Sequence, residues 1–111
     1  MHECDEIVKK IAKSKLNVTK LAILLYLSMS GWTKLGELSK ALNIAKSTAW
    51  KHVKELQERG LVRTKYSLEG HPQMLIAITD KGLKTLAEYI GMMEKVKECM
   101  RGAEKEGEGE E

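Results

Sequence analysis

Apolar side chains recur along this chain with two different periods, and the change between them divides it. From 5 to 15, Ile7, Val8 and Ile11 fall at helical spacing, and Asp5 and Glu6 stand where a helix N-terminus favours negative charge. A second helix runs through "LAILLYL" (21–27), apolar nearly all round and so expected at the centre of the core, with Asn17 or Thr19 to cap it and Gly31 to stop it. Thr33 is placed to cap a third, "KLGELSKAL", in which Leu35, Leu38, Ala41 and Leu42 form one stripe and Asn43 ends the run. A short connection leads to a fourth helix, from about Ala45 to Arg59, with Gly60 after it. Two short helices joined by so tight a turn cross steeply rather than lying antiparallel, which is the helix-turn-helix arrangement.

Beyond Gly60 the period shortens. "LVRTKYSL" (61–68) and "MLIAIT" (74–79) are rich in β-branched and aromatic residues, and "EGHPQ" between them supplies turn residues, so a β-hairpin is expected. Asp80 is placed to cap a last helix reaching to near Met100, with Leu83, Leu86, Ala87, Ile90, Met93, Val96 and Met100 on one side. At 1.5 Å per residue that helix spans about 30 Å. A domain this small cannot cover such a length by itself, so part of the stripe is expected to meet a second subunit. The expected fold is mainly α with one β-hairpin (α+β). One domain occupies 1–100, and helices 5–15 and 80–100 make a homodimer through Ile7, Ile11, Leu86, Ile90, Met93, Val96 and Met100. The stretch 101–111, "RGAEKEGEGEE", alternates Gly and Glu and is expected to be a disordered acidic tail.

Composition narrows the setting. With 111 residues, 42% of them hydrophobic, there is room for one small core and no second domain. No apolar run reaches the roughly 18 residues of a membrane span. The N-terminus "MHECDEIVKK" carries charge where a signal peptide needs an apolar stretch, so a cytoplasmic protein with no membrane partner is expected. The formal net charge of +3 conceals an uneven distribution: the last eleven residues carry −3, which leaves the remainder at +6. That permits a polyanionic partner without establishing one.

The fourth helix gives the charge a direction. At about 100° per residue from Ala49, Val53 and Leu56 fall within about 40° of zero, while Ser47, Lys51 and Lys54 lie at about 160°, 200° and 140°. Its outward face is basic and hydroxylated. In a helix-turn-helix the second helix enters the major groove, where Lys donates to guanine and Ser or Thr pairs with either edge. Ser47, Thr48, Trp50 and Lys51 are therefore candidates for base contact, and Lys46 and Lys54 for phosphate. Trp50 lies on the flank, and two readings stay open for it: a DNA contact, or a seal at the core edge. His52 follows the buried face and is expected to be packed and hydrogen-bonded.

Residues 31–86 resemble the winged helix-turn-helix of the MarR and ArsR repressor superfamily, particularly its small archaeal regulators. "LSKALNIAKSTAWKHVKELQERGLV", the hairpin with Gly70 and Pro72, and "ITDKGLKTL" carry the resemblance, and "LAILLYL" matches the helix that precedes the module. It implies a dimeric transcriptional regulator of double-stranded DNA, probing the groove with helix 46–59 and using the 61–79 hairpin as its wing. Family wings often set Arg beside the tip Pro. Here "GHPQM" offers His71 and Gln73, so Arg63 and Lys65 must supply the wing's positive charge, and Ala45 stands where a Ser or Thr cap is common.

Other chemistries find little support. No Gly-rich phosphate loop and no convergent reactive pair suggests an enzyme. His2, Cys4 and Cys99 do not show the ligand patterns of the metal-sensing ArsR group, so no metal or cofactor is expected, and no effector is legible. Cys4 and Cys99 form neither a disulfide framework nor a CxxC motif and read as unpaired thiols of a reducing compartment. Two alternatives remain: a winged helix that binds proteins within a transcription or replication assembly, and a redox-responsive regulator acting through Cys4 and Cys99.

Overall fold

The structure is a computed structural model that describes the backbone of residues 2–110 and the side chains of residues 3–102. The elements run α1 (His2–Ser14), α2 (Val18–Ser30), β1 (Thr33–Lys34), α3 (Leu35–Leu42), α4 (Lys46–Glu58), β2 (Val62–Ser67), β3 (Gln73–Ile78) and α5 (Asp80–Glu110). They form two compact units, Leu16–Leu86 and the pair of segments 1–15 and 87–111.

In the first unit, α2 begins at Asn17, whose side chain accepts from the Lys20 amide at 2.8 Å, and closes on Gly31 at φ 69°. Its buried stripe is Ile23, Leu24 and Leu27. Leu25 and Met29 face outward, so the helix is central along one side only. Leu38 of α3, Val53 and Leu56 of α4, Leu61, Val62, Ile76 and Leu86 complete the core. Each such side chain contributes about 1.5–3 kcal/mol by leaving water.

The sheet has three strands, ordered β1-β3-β2 and antiparallel throughout. The two-residue β1 is the element the hydrophobic pattern does not announce. Thr33, expected to cap α3, instead lies in β1 opposite Ile76, and is buried with its hydroxyl 2.7 Å from that of Ser30 and donating to Gly31 O at 2.9 Å. Lys34 takes the cap position of α3 without a side-chain cap bond.

In the second unit, α1 faces the C-terminal part of α5. Cys4 and Cys99 are joined in a disulfide, with Cα atoms 6.3 Å apart, and Lys95 Nζ donates to Glu3 Oε1 at 3.2 Å beside it. This overturns the reading of two unpaired thiols and removes them as an argument for a reducing compartment. Residues 95 positions apart in sequence carry no local spacing signal, and only the apposition of the two helices reveals the bond. The backbone of α5 continues to Glu110, past the end expected near Met100. Residue 111, and the side chains from 103 onward, lie outside the described residues.

Candidate nucleic-acid interface

The turn between α3 and α4 sets the site. Asn43 adopts the left-handed conformation at φ 53°, its amide donates to Lys40 O at 3.2 Å, and the Ile44 amide donates to Ser39 O at 3.0 Å. These bonds end α3 abruptly and redirect the chain after two residues. Helix α4 then starts from Ala45, extended at φ −64° and without a side-chain cap. Ala49, Val53 and Leu56 are buried, and Lys46, Ser47, Thr48, Lys51 and Lys54 are all exposed. Trp50 is half-buried and packs against the core cluster, which favours the seal at the core edge over an outward contact.

The far end of α4 is locked to the start of α5 by the stretch "TDKG". Thr79 Oγ1 donates to Gly60 O at 2.6 Å and accepts from the Gly82 amide at 3.0 Å, so Thr79, rather than Asp80, supplies the cap. Lys81 Nζ donates to Arg59 O at 3.0 Å, satisfying a carbonyl where α4 ends. Gly82 is required by proximity: a Cβ there would stand 2.1 Å from Leu61 O and 2.7 Å from Ile78 Cγ1. Gln57 Nε2 also donates to Thr64 Oγ1 at 3.2 Å, joining α4 to β2.

The hairpin's register sorts its side chains. Val62 and Thr64 pair with Ile78 and Ile76, while Arg63 and Lys65 pair with Ala77 and Leu75. Alternation puts the second set on the sheet face opposite the core. There Trp32, just ahead of β1, lies 5.0 Å from Arg63 Cζ and 4.1 Å from Lys65 Nζ, measured to the ring centroid. His71 and Gln73 are exposed at the loop, together with Tyr66 and Leu68. Lys34, Lys40, Lys46, Ser39 and Gln73 line an open cleft of about 530 Å³ between the hairpin and the starts of α3 and α4. The structure thus brings Lys46 and Gln73 together, and sets Arg63 and Lys65 apart on the outer sheet face. Trp32, Lys34 and Lys40 were not legible as site residues, because their association depends on β1 and on the α3–α4 crossing.

Electrostatics keeps one carboxylate occupied. Lys20 of α2 forms a salt bridge with Glu55 of α4, and this hydrogen bond, opposed by desolvation and aided by the charge of Lys20, lowers the Glu55 pKa below its ordinary value. His52 departs from expectation: its Nδ1 is buried without a hydrogen-bond partner among the described residues. Of the expected dimer contacts, Leu86 belongs to the core and Ile7 is buried within the chain. Ile11 and Val96 are half-buried, and Ile90, Met93 and Met100 are exposed, as is Val8. Among the described residues no three His, Cys, Asp or Glu side chains gather as metal ligands, and no helix is long and apolar enough to cross a membrane. The side chain of His2 lies outside the described set.

A steeply crossed helix pair, an exposed basic second helix and an antiparallel hairpin define a winged helix-turn-helix. The family model for the winged helix DNA-binding domain matches residues 19–96, and the chain belongs to that family. No curated protein matches the sequence. Among solved structures, it is similar to a transcriptional regulator homologue from Pyrococcus horikoshii OT3, at 24% identity and TM-score 0.82, over 86% of this chain and 97% of that one. A MarR family transcriptional regulator from Silicibacter pomeroyi is 24% identical, with TM-score 0.68 over 96% and 80% of the two chains. Bordetella bronchiseptica BpsR, whose DNA binding is regulated by 6-hydroxynicotinic acid, is 20% identical, with TM-score 0.70 over 88% and 70%. The fold is therefore MarR-like, and residues 19–96 form a winged helix DNA-binding domain.

Proposed function

We propose that the protein is a homodimeric, sequence-specific repressor of transcription that reads double-stranded DNA with α4. The observation carrying this reading is the exposed run Lys46, Ser47, Thr48, Lys51 and Lys54 on a helix whose other side is locked into the core. Ser47, Thr48 and Lys51 meet base edges, and Lys46 and Lys54 meet phosphate, with Lys34 and Lys40 extending the positive lining of the adjoining cleft. His71 and Gln73 approach DNA from the hairpin. The exposed Val8, Ile90, Met93 and Met100 supply apolar surface for a second copy. Repression follows from occupancy of a promoter.

Selection of duplexes from a random pool, followed by binding assays on Lys51→Ala/Lys54→Ala, tests the reading. An enriched motif that the variant binds at least tenfold more weakly supports it, and a pool with no enriched motif refutes it. Six to ten phosphate contacts by the dimer would lower affinity roughly 10³–10⁵ fold between 50 and 200 mM salt. A redox-responsive form of the same regulator is favoured by the Cys4–Cys99 bond. It requires that reductant change the affinity for the selected duplex.

A further inference from the structure

We propose that Trp32 is a positioning residue that holds Arg63 and Lys65 as a preassembled phosphate-binding pair, making the outer face of the sheet a second DNA contact beside α4. The proposal rests on the reading that this chain binds DNA; Arg63 and Lys65 are the wing cations expected from the sequence, and what is added is the role of Trp32 in holding them.

Three observations carry it. Arg63 and Lys65 are two residues apart on β2 and share one face, so their charges repel, yet both converge on the Trp32 ring, at 5.0 and 4.1 Å from its centroid. The negative face of the indole attracts both cations and offsets part of that repulsion without neutralising either charge. Second, among the described residues neither cation has a carboxylate within salt-bridge distance, so their positive charge is not consumed inside the protein. Third, the register is continuous across the sheet. Thr33 pairs with Ile76 and Lys34 with Leu75, which places Trp32 beside Ala77 and adds Lys34 to the same face as Lys65. Ala77 is only 7% exposed on this outward face, consistent with Trp32 and Arg63 flanking it.

Two cations that converge on an exposed indole, with no acid paired to either among the described residues, suit phosphate groups. Holding two long side chains in place before binding removes the rotamer entropy that free lysine and arginine lose on contact. Counterion release from the DNA supplies the affinity and gives this contact a measurable salt dependence.

The test is the slope of log affinity against log salt for the full-length protein on a mixed-sequence duplex. Wild type is compared with Trp32→Leu, Trp32→Phe and Arg63→Ala/Lys65→Ala. The double variant is expected to lower the slope by about 1.8 per bound chain, the equivalent of two phosphates. Trp32→Leu removes no charge, and is nevertheless expected to lower the slope by at least about half as much, while Trp32→Phe restores most of it. A purely structural role for Trp32 would reduce the active fraction equally at every salt concentration and leave the slope unchanged. A wild-type slope in Trp32→Leu overturns the positioning role, a wild-type slope in the double variant overturns the phosphate contact, and either result overturns the proposal. If Trp32→Leu does not fold, the double variant and Trp32→Phe decide: an unchanged slope in the double variant, or a slope lowered by Trp32→Phe as far as by the double variant, overturns it. A wild-type protein that binds no duplex removes the DNA reading itself.

Discussion

Opening the Cys4–Cys99 bond is expected to cost this protein a large share of its stability. The bond joins residues separated by 95 positions, so it closes a loop that contains the whole of the Leu16–Leu86 unit. In the chain-entropy account, a cross-link over a loop of that size restricts the unfolded ensemble by about 4.7 kcal/mol at 25 °C. That is an upper limit, because native strain and residual structure in the unfolded chain both reduce it. Small domains have roughly 5–15 kcal/mol in total. With a urea dependence of about 2 kcal/mol per molar, a loss of 3–4 kcal/mol would move the midpoint by roughly 1.5–2 M. The assay is urea unfolding at one fixed protein concentration, with and without reductant, alongside Cys4→Ser/Cys99→Ser. Alkylation in denaturant counts the thiols in each sample. Reduced wild type and the double variant should unfold at the same, lower midpoint. A midpoint unmoved by reductant, in protein whose two thiols are shown to be open, would refute the argument.

Gly82→Ala should destabilise by at least the 1–3 kcal/mol typical of overpacking, although alanine normally favours a helix by about 1 kcal/mol, because its Cβ would meet Leu61 O; thermal unfolding measures the sign. The Lys20–Glu55 pair lowers the pKa of Glu55 in the fold, so its stabilising effect is present above the ordinary value of 4.5 and is lost as pH falls through the lowered one. Urea midpoints of wild type and Lys20→Ala should accordingly differ at pH 6 and converge towards pH 3, and a constant difference would contradict the assignment. Leu86→Ala should cost about 2–5 kcal/mol as a core truncation. Ile90→Glu/Met93→Glu, at exposed positions, should instead convert a dimer to a folded monomer in analytical sedimentation.

Much of the fold was legible in the sequence because helical periodicity, turn residues and β-branched runs act over short distances. The spacing of Ala49, Val53 and Leu56 determined which side of α4 is buried, and so which lysines face outward. Asn43 and Gly31 marked the ends of their helices for conformational reasons that any context preserves. What the sequence could not decide depends on residues that meet only in the folded chain. Thr33 reads locally as a helix cap and becomes a strand because β3 offers it a partner. Trp32 has no chemistry until that pairing sets it beside Arg63 and Lys65. Trp50 was ambiguous by angle, and only the folded chain shows that it packs against the core cluster while staying partly exposed. Cys4 and Cys99 read as unrelated thiols until α1 and α5 came together. Local patterns are set by backbone geometry within a few residues, whereas strand pairing, cation–π contacts and a disulfide require positions brought together from far apart in the sequence, which only the tertiary structure supplies.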